Sequence, residues 1–246
     1  MGEYIAPEAQ REAPCLQELN GVWVLEKHLS SNIPSILKLQ RIPFLLRKAI
    51  TSPSTPIHLH ITTYKTLSQD TTEPKIHLDH VQRTPGLGLG LIPVIEDKRV
   101  LDWVEGLHED VVFGKVRTRS RLVFGSDRSG VGVCLAVGEG REEEVGKFLR
   151  GDVGVDCNGA PVVGCNNGSQ GETGAEGEDE GNGTFWVQTL EINDKAGWSA
   201  ETIWGYEVVN GERHLTSRVM VVDRKGNYQL GRCVFRFLER KHCHLV

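Results

Sequence analysis

From Phe185 to Leu238 the chain is a run of alternating apolar and polar residues broken only by tight turns. Strands are expected at Phe185 to Ile192, Thr202 to Asn210, His214 to Asp223 and Tyr228 to Leu238. Asn210-Gly211 and Lys225-Gly226-Asn227 stand between them, and Gly and Asn accept the positive φ that short hairpins need. No helix separates these strands, so a parallel sheet is excluded. An antiparallel meander that closes on itself is the economical solution, because closure removes the exposed edges.

The first half fits the same plan. Ile57-His58-Leu59-His60-Ile61 and Lys75-Ile76-His77-Leu78-Asp79-His80-Val81 alternate as half-buried strands do. Further strands are expected at Arg99 to Val104, Val111 to Val116 and Arg119 to Phe124, with Glu105 to Asp110 as a polar bend. Val131 to Val137 reads as another strand or none, and Glu142 to Leu149 as one helical turn or two. Before all of these comes an unusual order: a strand at Gly21 to Lys27, then apolar residues at helical spacing from Ile33 to Ile50. Pro34 suits a first helical turn and Pro43 should split the run into two short helices.

Composition matters chiefly in one segment. Residues 151–183 hold 10 of the 28 glycines and seven acids, with no Lys or Arg. Such a stretch buries too little apolar surface to offset its ordering entropy, so it is expected to be a disordered insertion. Without it the chain has 28 basic and 26 acidic residues, which gives no electrostatic case for nucleic acid. The expected organisation is a loose arm over 1–18, one barrel over 19–238 and a short tail over 239–246. No run is apolar and long enough for a membrane-spanning helix. The opening residues carry no basic region followed by an apolar run, so no secretory signal is expected. The six cysteines form no C-x-x-C pair; free thiols and a cytoplasmic location are the expectation.

Leu19-Asn20-Gly21-Val22-Trp23 resembles the opening of the lipocalin and fatty-acid-binding-protein superfamily, the calycins. Leu39-Gln40-Arg41-Ile42-Pro43-Phe44-Leu45-Leu46-Arg47-Lys48-Ala49-Ile50 resembles the helix-turn-helix lid of the intracellular lipid-binding proteins. The resemblance implies a mainly β protein: a closed up-and-down antiparallel barrel with a short helical lid and a hydrophobic small molecule inside. It does not extend to the Arg-x-Tyr pair with which that family grips a carboxylate, since the last strand reads Gly231-Arg232-Cys233-Val234-Phe235-Arg236-Phe237-Leu238. The chain is also similar to lipocalin-like proteins of fungal natural-product pathways, some of which catalyse cyclisations with no cofactor. That similarity implies a lipid or polyketide- or terpenoid-like ligand. It also implies a cofactor-free isomerisation or cycloaddition, with a non-catalytic metabolite carrier as the alternative.

The residues that could carry such chemistry each have a plainer reading. Trp23 should plug the closed end. Trp204 and Tyr206 share a strand face and could line the cavity or serve as core. Arg232 and Arg236 share a parity, and an arginine inside a cavity needs a carboxylate; Arg236 is the preferred ligand contact. His108, in the expected bend at a barrel mouth, is a candidate acid or base. His58, His60, His77 and Asp79 read mainly as outward polar positions, as do Lys115, Arg117, Arg119 and Arg121. The catalytic candidates are therefore Tyr206, Arg236 and His108. The ligand-binding candidates are Trp204, Phe44, Leu45, Ile36, Trp103 and Phe235. No metal site and no cofactor are expected: His242-Cys243-His244 is too local for zinc, and Gly86-Leu87-Gly88-Leu89-Gly90 is not a dinucleotide fingerprint.

Overall fold

A computed structural model describes residues 14–67, 73–85, 92–124, 131–138, 140–155 and 185–240, and the backbone of 161–162. A 3-10 helix, Pro14–Leu19, leads into β1 (Gly21–Leu25), α1 (Ile33–Leu39) and α2 (Phe44–Thr51). Then follow β2 (His58–Thr66), β3 (Lys75–Arg83), β4 (Ile95–Val100), β5 (Gly106–Asp110) and β6 (Gly114–Phe124). After α3 (Glu142–Arg150) come the two-residue strands β7 (Gly154–Val155) and β8 (Pro161–Val162). The hairpin run closes the chain as β9 (Phe185–Asn193), β10 (Trp198–Val209), β11 (Glu212–Asp223) and β12 (Tyr228–Glu239).

Ten strands form one antiparallel sheet in the order β4-β3-β2-β1-β12-β11-β10-β9-β6-β5. Except at β4 and β5, each strand of this sheet neighbours the one that follows it, with β7 and β8 pairing apart from it, so the sheet is an up-and-down meander. The first strand pairs with the last, Trp23 opposite Phe237. What remains is a seam between β4 and β5. The connection between them straddles it: Leu101 N–H donates to Ile76 O on β3 and Trp103 N–H to Ser120 O on β6, both at 2.8 Å. The result is a nearly closed barrel.

Several expected boundaries differ. Gly106–Asp110 is strand rather than bend, and pairs with β6 from Gly106–Thr118 to Asp110–Gly114. Val111 to Phe113 is the turn between them, held by Asp110 Oδ1, which accepts the N–H groups of Val112 and Phe113 at 2.6 Å. The two strands expected at 111–116 and 119–124 are thus one. The strand expected at Arg99 to Val104 begins earlier, at Ile95, and ends at Val100. Val131 to Val137 has no regular structure. Of the expected arm, Pro14–Leu19 is a helix whose Leu16 and Leu19 are buried in the core. Of the expected insertion, Gly151–Val155 and the backbone of β8 are described; the rest of it, the 87–91 stretch and His242-Cys243-His244 lie outside the described residues.

The barrel has a packed end and a hollow end. Leu16, Leu19, Trp23, Leu59, Ile61, Phe185 and Leu215 fill the first. Trp23 donates its indole N–H to Leu19 O at 2.9 Å. The hollow end is covered by α1. Ser31 exchanges backbone hydrogen bonds with Arg232 of β12, and Asn32 Nδ2 donates to Leu230 O at 2.7 Å. Gly231 makes this fit possible, because a Cβ there would lie 2.9 Å from Ile36. The buried side of α2 packs Ile50 with Ile57 and Ile92.

A second layer lies outside the wall. Val145, Phe148 and Leu149 of α3, with Val131 and Val137, cover Trp186, Ile203, Met220 and Leu230 on the outer face of β9 to β12. Those strands are consequently buried on both faces. A polar core is sealed there. Arg218 donates to both carboxylate oxygens of Glu207, at 2.6 and 3.0 Å, and to the carbonyls of Phe148 and Val153 at the end of α3. Glu201, fully buried, accepts the N–H groups of Cys134 and Leu135 and the amide of Gln188.

Candidate functional site

The hollow end encloses a cavity of about 230 Å³. Its size lies above the roughly 150 Å³ that holds a benzene ring and below the roughly 300 Å³ at which drug-sized sites begin. Most of the wall is apolar or aromatic: Ile36 and Leu37 from α1, Ile95, Phe113, Val116, Trp198, Trp204, Val219 and Phe235. Trp204 and Phe235 stack with ring centroids 5.7 Å apart.

One side of the wall is charged, and it lies across the seam. His80 of β3 shares the inward parity of Ile76 and Leu78. Asp97 and Arg99 of β4 share that of buried Ile95. From the other side of the seam come His108 and Asp110 of β5, and β9 contributes Glu191. Asp97 is the hub. Arg99 donates to its Oδ2 and also to Glu191 Oε1. His80 Nε2 lies 3.7 Å from Oδ2, and His108 Nδ1 lies 3.5 Å from Oδ1. Beyond it, His108 Nε2 and Asp110 Oδ2 share a hydrogen bond of 2.8 Å. Where backbone pairing stops between β4 and β5, side chains carry the connection.

The two imidazoles are driven in opposite directions. Burial pushes His80 down to about 4, against the pull of Asp97, so it is neutral at neutral pH. His108 is raised, first by its hydrogen bond to Asp110 and then by the charge of Asp97 and Asp110, with burial opposing. Burial would lift both aspartates. For Asp97 it is outweighed by Arg99 and the histidines, and for Asp110 by His108 and the two backbone donors, so both are held low. Two titratable groups pushed apart by their surroundings are an arrangement from which acid and base roles can be divided. Asp97 touches both. Cys233 also lines the cavity, with burial raising its thiol to about 11, which keeps it protonated.

Of the residues singled out in the sequence, His108, Trp204, Ile36 and Phe235 meet in this cavity. The others lie elsewhere. Tyr206 sits toward the packed end, its ring 6.0 Å from Trp23 and covered by the Arg213 guanidinium. Arg236 is on the outer surface, paired with Glu26 at 2.8 Å. Phe44 and Leu45 are on the outer side of α2, 60% and 80% exposed. Trp103 is half-buried on the connection across the seam, under the Arg121 guanidinium. Arg117 and Arg119 point outward to Glu105. His80, Asp97, Arg99, Asp110 and Glu191 were not singled out. For His80, Asp97 and Arg99 the one available signal was parity with Ile76, Leu78 and Ile95. Among the described residues no cluster of His, Cys, Asp or Glu is arranged to hold a metal ion, and no helix is long and apolar enough to cross a membrane.

These features define a class: a nearly closed antiparallel barrel, consistent with a calycin-like fold, with a lidded cavity of small-molecule size. Beyond the class, no family, curated protein or solved structure matches the chain.

Proposed function

We propose that the barrel encloses a small hydrophobic molecule, a compact lipid- or terpenoid-like metabolite, and moves a proton on it without a cofactor, as a cytoplasmic isomerase or cyclase. The observation that carries this reading is the geometry of two imidazoles, His80 and His108, flanking the one carboxylate of Asp97 on one side of a largely apolar cavity wall. In this mechanism His80 takes a proton from the bound molecule while His108 delivers one to its oxygen. The electron pair left by the first proton shifts within the substrate toward the second, so no redox partner is required. Asp97 and Asp110 hold both rings in place. The aromatic wall fixes one conformer of the substrate, and orientation of this kind lowers a barrier by several kcal/mol.

The test is deconjugated-ketone isomerisation, using 3-cyclohexen-1-one as a probe small enough for the cavity and following the absorbance of the conjugated product. The purified protein should accelerate the reaction above buffer. His108→Gln should lose about 10²- to 10⁴-fold of that acceleration. Binding of the probe with no acceleration would make the protein a carrier, the alternative for which the lid and enclosure suffice.

A further inference from the structure

The geometry points to a ligand that carries, beside the group on which the proton moves, a protonated amine on a compact ring body, and no carboxylate or phosphate. This inference rests on the reading of the cavity as a small-molecule site and names the chemistry that site selects.

Asp97, Asp110 and Glu191 place three carboxylates in the cavity wall. The arginine in the described wall spends its charge on the protein's own acids, with Nη1 left as its weakly engaged end. Arg99 Nε donates to Asp97, Nη2 reaches Asp97 and Glu191, and Nη1 is 3.5 Å from Ser120 Oγ. A guanidinium used in this way neutralises the protein's own acids instead of presenting its fork to a ligand. His108 is held through Nε2 by Asp110, and its other nitrogen lies 3.5 Å from Asp97 Oδ1 without a hydrogen bond. Three carboxylates thus face one guanidinium and, even when His108 is protonated, one imidazolium. The wall therefore keeps one uncompensated negative charge, and an anionic ligand would add a second.

Unused hydrogen-bonding capacity has the same sense. Asp97 is 3% exposed, yet its Oδ1 accepts no hydrogen bond. Thr118 Oγ1, in the same wall, has no partner either, but a hydroxyl can donate or accept, so the sense is set by Asp97. A carboxylate oxygen can only accept, so the group that completes it must donate. The aromatic surfaces agree: Trp198, Trp204, Phe113 and Phe235 line the remaining wall, and aromatic faces attract cations. The cavity volume suits one or two rings better than a long acyl chain.

The experiment is a matched series on the intact protein at pH 7 by titration calorimetry: 2-phenylethylamine, 2-phenylethanol and 3-phenylpropanoate. The amine should bind at least about tenfold more tightly than the carboxylate, with the alcohol between. Glu191→Gln and Asp97→Asn, each checked for folding by its thermal transition, should narrow that ratio. A carboxylate that binds as tightly as the amine overturns the inference while leaving a small-molecule site in place. If none of the three binds, and none displaces a small apolar fluorophore from the protein, the small-molecule reading fails as well.

Discussion

Gly205→Ala should destabilise the protein by about 3 kcal/mol or more, seen as a fall in the urea midpoint with an unchanged slope. Gly205 lies on the outer face of β10, where the indole of Trp186 rests directly on its backbone. An added Cβ would stand 1.8 and 2.0 Å from two ring carbons. Real side chains do not approach so closely, so the ring must move. It has nowhere to go, because Trp186 is 3% exposed and sealed beneath the α3 layer. Overpacking a small core position ordinarily costs about 1–3 kcal/mol, and a rigid aromatic leaves no cheap rotamer. The double variant with Trp186→Leu separates this account from a backbone effect. It should be less destabilised than the sum of the two single changes by over about 1 kcal/mol. Strict additivity would mean that the ring does not set the cost.

Arg218→Met should cost about 3–5 kcal/mol. Arg218 and Glu207 are 3% and 1% exposed, and their two-point contact is sealed between the barrel wall and α3. Removing the guanidinium leaves the carboxylate with Arg232 at 3.6 Å as its charged neighbour. It also strips a donor from the carbonyls of Phe148 and Val153. Desolvation makes the intact pair far less valuable than the loss of one partner suggests. Arg218→Met with Glu207→Leu should therefore recover part of the stability lost in Arg218→Met, as read from thermal transitions. A double variant worse than the single one would show that the pair is strongly stabilising in its own right.

The fold was legible where backbone chemistry dictates it. Asn210 and Gly211 have φ of 53° and 83°, and Gly226 has 80°, the positive values that those residues announce. Pro34 sits in the first turn of α1 and Pro43 divides α1 from α2, as the sequence requires. The site was less legible, and for identifiable reasons. A cavity admits charged residues at inward positions, so Asp97 and Arg99 look like an outward stripe unless Ile95 is recognised as the start of the strand. Parity tells which face a residue takes but not its height along the barrel axis. Tyr206 shares a face with Trp204 and still falls in the packed end, beside Trp23. Arg236 has the parity of Val234 and Arg232, away from the cavity-lining Gly231, Cys233 and Phe235. Over β9 and β11 parity carries little information, because α3 buries the outer face too. His108 was found for its place near the barrel mouth, although the bend expected there is the strand β5.

The central claim is that one end of this barrel is hollow and holds a small molecule there. Native mass spectrometry of the protein purified from its own source under non-denaturing conditions tests it most directly. The expected result is a population carrying one bound small molecule, and loss of that population in Val219→Trp, whose indole would fill the cavity from β11. A bare protein mass with no adduct, and a Val219→Trp variant that binds apolar ring compounds as the parent does, would contradict it.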